Sequence, residues 1–271
     1  MRTVLTVIER CSNAFIQLVR ASLLAVNIGV YRQDWTSSSK GAMTDDQATA
    51  FHVGMTADAV VDAAAELTRD SHLWGWSIRD LARRLGVSPS VIYHHVGGRD
   101  LLARHVVERV VEGLSVPPPE SPWDEWFRTF LLSAYGPVAA YPGVAKWLLL
   151  HGPTFRTTLD VIDTGTALLR RAGFGDDAGF AYAALLNNAM LTISIGDDRL
   201  VHEDDGPRDH ATMMDEFARM ALGRPGVEVL AASLLTPFAE GGPGAKQLRE
   251  RYFRFVVDTT IAGLATLLGA C

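Results

Sequence analysis

The chain has 271 residues, enough for one large domain or two ordinary ones of roughly 100–200 residues each. Its content of 48% hydrophobic and 21% charged residues supports a buried core and excludes wholesale disorder. A formal net charge of -6 excludes a globally basic nucleic-acid coat, but not a small DNA-reading module on an acidic body.

The two cysteines, Cys11 and Cys271, lie near opposite ends. They make neither a disulfide framework nor a zinc-ligand spacing, so a cytoplasmic location is expected. The apolar stretch 4–31 is broken by Glu9, Arg10 and Arg20, which argues against a membrane span and against a signal peptide. Residues 1–54 read as an N-terminal extension: an amphipathic helix, or a segment without a role in the folded protein. Met43 and Met55 offer alternative starts. Residues 55–116 are dense in short helical patterns, Pro117-Pro118-Pro119 forms a stiff linker, and 117–271 carries long helical patterns.

No stretch alternates with period two, so an all-α protein is predicted. Helices are expected over 56–69, 77–85, 89–94, 99–114, 123–139, 144–150 and 154–172, then over 177–195, 209–222, 227–235 and 245–268. Within this series Ser77, three residues before Asp80, reads as a helix cap with an acidic first turn. Leu81, Ala82 and Leu85 form the apolar face of that helix, and Gly86 ends it in a left-handed conformation. Ser88 then caps the next helix, with Pro89 at its first position.

The pattern is a helix-turn-helix, with Ile92 closing the core against Ala82. It leaves Ser88, Pro89, Ser90, Val91, Tyr93 and His94 on or near the outward face, flanked by Arg79, Arg83, Arg84 and Arg99. Two helices joined by a glycine turn also occur in ordinary bundles. Carboxylates are as frequent as arginines here, so a DNA-binding face must come from placement rather than bulk charge.

The run from Ala59 to Leu114 resembles the N-terminal domain of the tetracycline-repressor (TetR) family of transcriptional regulators. Val60-Val61-Asp62-Ala63-Ala64 is similar to the opening of that family's first helix. The run from Ser77 to Ser88 is similar to its second helix and turn, and Tyr93-His94-His95-Val96 to the end of its recognition helix. Asp100-Leu101-Leu102 resembles the start of its fourth helix, where Arg99 stands in place of a frequent lysine. Gly97 and Gly98 depart from the bulkier polar residues usual there. The second half resembles the ligand domain of the tetracycline-repressor type through Trp123, Phe127 and Phe130, Tyr141-Pro142-Gly143-Val144-Ala145, the run from Leu168 to Phe174, and the final run from Phe253 to Leu268.

The resemblance implies a three-helix DNA-binding domain, followed by a larger helical domain that binds a small molecule and dimerises. DNA-contacting candidates are Ser77, Arg79, Ser88, Pro89, Ser90, Val91, Tyr93, His94, His95 and Arg99. Tyr93, Arg99 and Ser77 are expected at phosphates, Ser90 and Val91 near base edges, and His95 at the turn to the fourth helix. The implied partners are palindromic operator DNA, a small-molecule effector and a second copy of the chain.

Effector-pocket candidates are Trp126, Phe130, Trp147, His151, Phe155, Asn187, Asn188, Met190 and Thr192, aromatics and polar groups interleaved at helical spacing. For the dimer, helices 177–195 and 245–268 are expected to form a four-helix bundle with their symmetry mates. Gly179, Ala183, Ala184, Ala262, Gly263 and Ala265 would allow close approach, while Leu186, Phe255, Val256, Ile261 and Leu264 would supply apolar area.

His202-Glu203-Asp204-Asp205 with His210 admits a metal-binding reading, but the adjoining Gly206-Pro207 favours a solvated loop, and no metal is predicted. No nucleophile elbow, dinucleotide fingerprint, phosphate loop or zinc-protease helix motif occurs, so neither a cofactor nor an enzyme is expected. The competing readings are an enzyme or small-molecule-binding protein with a vestigial helix-turn-helix, and a protein-interaction module.

Overall fold

The computed structural model describes residues 55–201, 210–240 and 242–269. The extension 1–54 and the run His202-Glu203-Asp204-Asp205 lie outside the described residues. Among the described residues every regular element is helical. Helix α1 (Ala57–Asp70), α2 (Ile78–Leu85), α3 (Pro89–Val96) and α4 (Arg99–Glu112) come first. Next are α5 (Trp123–Ala139), α6 (Val144–His151), α7 (Leu159–Leu169) and α8 (Ala178–Val201). The series closes with α9 (His210–Ala221), α10 (Pro225–Leu230), α11 (Thr236–Glu240) and α12 (Gly242–Gly269).

Local chemistry sets the first boundaries. Thr56 caps α1 by accepting the Ala59 N–H at 3.1 Å. Ser77 and Asp80 form a reciprocal capping box on α2: the Ser77 hydroxyl accepts the Asp80 N–H at 3.3 Å, and the Asp80 carboxylate accepts the Ser77 N–H at 2.9 Å. Gly86, at φ 67°, ends α2 in the left-handed region, and Val87 N–H returns to the Ala82 carbonyl at 3.0 Å. Ser88 corrects the sequence reading. It holds the N-cap position of α3 without a side-chain cap bond, because its hydroxyl pairs with that of Ser90 at 2.7 Å.

These helices enclose a core of Val60, Ala64, Leu73, Leu81, Ile92, Leu102 and Val106, all fully buried. A buried polar pair sits within it: Thr68 accepts from Trp76 Nε1 at 3.0 Å and donates to the Ala64 carbonyl at 2.9 Å. Both partners are satisfied, so the pair costs little and fixes the α1–α2 turn.

Helices α5 to α8 and α12 pack into a second layer of contacts around Trp126, Phe127, Leu131, Leu169, Leu185 and Phe253. The expected helix over 154–172 starts later than predicted, after a single 3-10 turn at Arg156–Thr158. Its end unwinds at Gly173, φ 112°, which separates α7 from α8 within the apolar run Arg156–Asp197. Gly165 lets α7 approach α5 and α8 closely: a Cβ there would stand 2.9 Å from Tyr182 Cε2 and 3.0 Å from Phe127 Cζ.

The two layers are tied by the turn between α5 and α6. Leu73 N–H donates to the Pro142 carbonyl at 2.8 Å, and Gly143 N–H to the buried Asp197 carboxylate of α8 at 3.0 Å.

Candidate nucleic-acid interface and internal cavity

The α2–α3 surface keeps the residues expected to face DNA, with two exceptions. Ser77, Arg79, Ser88, Pro89, Ser90, Tyr93 and His94 are exposed, and the Tyr93 side chain is 53% accessible, unusual for an aromatic ring without a partner. His95 is half-buried, with its ring edge-on to His94 at 5.5 Å.

Val91 is the first exception. It is buried beside Ile92 and Val96, because α3 turns that edge toward the core, and a buried isopropyl group cannot reach a base edge.

Arg99 is the second. Its guanidinium lies 3.6 Å from the Trp76 ring centroid and donates to the carbonyls of Leu73 and Trp76. It therefore faces the α1–α2 turn instead of a phosphate. Burial lowers its pKa from the usual arginine value. The tryptophans at Trp74 and Trp76 were the available sequence signal, since an arginine two helices away has few better partners than an aromatic face.

The other basic groups divide in the same way. Arg84 pairs with Glu66 at 2.7 Å and Asp70 at 3.5 Å, and Arg109 with Asp58 and Asp62 of α1. Arg83 pairs with Asp80 at 2.8 Å on the exposed face. Arg79 is exposed and makes no ion pair among the described residues.

A cavity of about 290 Å³ lies between the end of α4 and helices α5, α6, α7 and α8. Phe130 and Met190 line it as expected, together with Leu131, Ala134 and Val138 of α5, Val161 of α7, and Tyr182 and Leu186 of α8. Burial raises the Tyr182 phenol to about 12, so it stays neutral. Val111 and Glu112, the last residues of α4, also line the cavity and were not foreseen. Nothing in their spacing distinguishes them from an ordinary helix end.

The other pocket candidates lie elsewhere. Trp126 and Phe155 are buried core, and Trp147 stacks on Phe155 at 5.4 Å between ring centroids. Trp126 donates from Nε1 to the Pro117 carbonyl at 3.0 Å, so its polar atom is already satisfied. His151 is exposed beside Trp147, and Asn187 lines neither cavity found here. Asn188 and Thr192 line a second cavity of about 590 Å³ between α5, α8 and α12. There Asn188 donates to Thr260 at 3.2 Å and Thr192 to the Asn188 carbonyl at 2.7 Å.

Phe180 of α8 and Phe255 and Leu267 of α12 are exposed, a Cβ built on Gly179 or Gly263 meets no atom within 4 Å, and the exposed Leu191 and Ile195 line the second cavity. Ile261 and Leu264, expected on this face, are buried within the chain's own core, and Leu186 turns into the first cavity. The inward edge of α12 is as apolar as the outward one, so composition alone does not fix its phase.

Among known proteins, the family described as "Helix-turn-helix domain" matches residues 48–123. No curated protein matches the sequence closely enough to serve as a relative. Solved structures share the fold at a TM-score above one half, three of them as follows. One, described as a possible TetR family transcriptional regulator from Streptomyces coelicolor A3(2), is 23% identical, covers 78% of this chain and 99% of its own, and has a TM-score of 0.60. TetR from Acinetobacter baumannii AYE, a variant in complex with minocycline, is 21% identical over 79% of this chain and 94% of its own, at 0.57. The TetR family protein ActR from Streptomyces coelicolor, in complex with actinorhodin, is 21% identical over 78% and 98%, at 0.56. The chain carries a helix-turn-helix domain within the TetR-family fold.

Proposed function

We propose that this helix-turn-helix chain, with the fold of TetR-family transcriptional regulators, is itself a member of that family: a dimeric, sequence-specific DNA-binding protein whose hold on its operator is released by a small molecule. The observation that carries the reading is the double role of α4. Its buried side chains Leu102 and Val106 pack on α1 within the N-terminal core, while its last residues, Val111 and Glu112, line the cavity. A molecule filling that cavity acts directly on the helix that positions the DNA-reading layer.

The physical logic is linkage. A ligand that binds better to the conformation whose two recognition helices are wrongly spaced weakens operator binding by the same coupling free energy. In a two-fold dimer the recognition helices must meet half-sites one helical turn apart, roughly 34–36 Å, so a small displacement of α4 misaligns both. The exposed stripe on α8 and α12 supports the dimer, since a run of large apolar side chains beside open glycines is suited to a symmetric helix-packing interface. The three DNA-binding helices within 55–116 and the ligand and dimer helices within 117–271 are the working division. A cytoplasmic location and no catalytic role accompany it.

Footprinting on the DNA flanking its own gene tests the proposal. A protected palindrome that is lost when a cavity ligand is added is the expected result. No protected palindrome there or elsewhere in the genome would overturn it.

A further inference from the structure

We infer that the molecule taken up by the α4–α8 cavity is a lipophilic cation: a two- or three-ring apolar body seated between α5, α7 and α8, with one charged nitrogen at the Glu112 end of α4. This rests on the reading of that cavity as the effector site and adds the charge class of its ligand.

The lining decides the sign. Among the described residues that line the cavity, Glu112 alone is charged, and no arginine, lysine or histidine reaches it. A buried carboxylate on a ligand would therefore lose its hydration without meeting a cation, the most expensive form of polar burial. The hydroxyls of Thr157, Thr158 and Tyr182 supply no counter-charge. Thr158 already donates to the Pro153 carbonyl at 2.6 Å and the Phe155 carbonyl at 2.9 Å. The Tyr182 phenol stays neutral, so it can donate a hydrogen bond but supplies no counter-charge.

A cation meets the opposite field. Glu112 is the last residue of α4, a helix of 14 residues, and it makes no ion pair among the described residues. The C-terminal end of α4 adds the negative end of the helix dipole at the same place. Glu112 is exposed, so its share is a solvent-screened, few-fold preference, while the exclusion of anions comes from the apolar interior. The volume sets the size: about 290 Å³ sits at the small end of ligand pockets and suits a compact ring system. Seating the charge at the C-terminal end of α4 also places the ligand's attraction on the helix whose position governs the DNA-reading layer.

The test uses the full-length protein and three anthracene probes that differ only in an aminomethyl, hydroxymethyl or carboxyl substituent, with affinities read by calorimetry. The ammonium probe is expected to bind roughly tenfold tighter than the alcohol, and the carboxylate roughly a hundredfold weaker than the alcohol. Glu112→Gln should cut the ammonium advantage to about threefold or less and leave the alcohol unchanged.

Two cavity-filling variants, Val161→Phe and Leu186→Phe, should each abolish alcohol binding. If they do, but the carboxylate binds as well as the ammonium, or Glu112→Gln leaves the preference intact, the cation inference is wrong and the effector-site reading stands. If no probe binds, or binding is indifferent to both filling variants, the effector-site reading fails and takes the inference with it.

Discussion

The guanidinium of Arg99 lies over Trp76, 3.6 Å from the ring centroid, and donates to the Trp76 carbonyl at 3.1 Å. An arginine that sequence alone places at a phosphate is thereby a bracket between α4 and the α1–α2 turn. Removing it should act through the fold. Arg99→Ala is expected to lower stability to urea by about 1–3 kcal/mol, the sum of one partly desolvated cation–π contact and its hydrogen bonds. DNA affinity should fall only in proportion to the folded fraction lost, with the salt dependence unchanged. A salt slope reduced by about one would instead restore Arg99 to the phosphate backbone.

Tyr93 has the opposite character. Its ring is 53% exposed, so Tyr93→Ala should leave the unfolding midpoint within about 0.5 kcal/mol of wild type. Operator affinity should fall by about 1–3 kcal/mol, with the oligomeric state unchanged. Titration of a labelled operator, alongside urea unfolding of the same preparation, separates the two effects. Unchanged operator affinity would remove α3 from the groove.

The capping box predicts a pH dependence. Asp80 accepts from the Ser77 N–H and hydroxyl and from Arg83, and its carboxyl is held down to about 2 from the ordinary 3.8. A folded-state pKa below the unfolded one gives stability that is fully present above the unfolded value and is lost as pH falls through the folded one. Asp80→Ala should therefore be less stable than wild type above a pH of about 5. The difference should shrink as the pH falls from 3.8 toward about 2. Urea midpoints of both proteins across this window check it. A gap that persists undiminished at the acid end would show that the charge of Asp80 is not what stabilises α2.

Gly143 offers a backbone test of the link between the layers. Its φ is 92°, and a Cβ there would stand 2.6 Å from His72 Cε1 and 2.9 Å from Leu73 Cβ. Gly143→Ala must strain the turn and push against the α1–α2 loop, at an expected cost of about 2 kcal/mol or more. Hydrogen exchange should rise at Leu73, whose N–H is held by the Pro142 carbonyl, before it rises in the middle of α1. Uniform loosening of the whole chain would argue that the turn is only one more core contact.

Helix existence and order were legible because every signal was local: the Ser77–Asp80 box, the left-handed Gly86, Pro89 at a first helical position, and Gly173 at a break. The same locality explains what was missed. The directions of Val91 and Arg99 depend on helix phase and on which aromatic face is free, and both are tertiary facts that the motif does not carry. The cavity was harder still. Phe130 and Met190 were found because they are large and apolar, a property shared with Trp126, Trp147 and Phe155, which fill the core instead. Ala134, Val161 and Glu112 line the cavity without any signature in composition, since a void is made by what neighbouring helices fail to fill.

The proposed dimer is most directly tested at Phe255. This ring is 62% exposed on α12, one helical turn before Thr259 and two before Ala262 and Gly263. On α8 Phe180 is exposed in the same way, beside Gly179. Small residues beside large ones let two copies approach closely, and a central aromatic anchor in such a face is where truncation costs most. Phe255→Glu introduces two charges facing each other across a two-fold axis, and should raise the dimer dissociation constant by a hundredfold or more (roughly 3 kcal/mol). Its own fold should survive, because Phe253, Val257 and Ile261 hold the inward edge of α12 unchanged. Light scattering across a dilution series should show wild-type dimer where the variant is monomer, with matching circular dichroism. Phe253→Ala serves as the contrast: it should lower the unfolding midpoint of the chain itself by about 3–5 kcal/mol. A Phe255→Glu protein that remains a dimer at nanomolar concentration would place the interface on another face of the bundle.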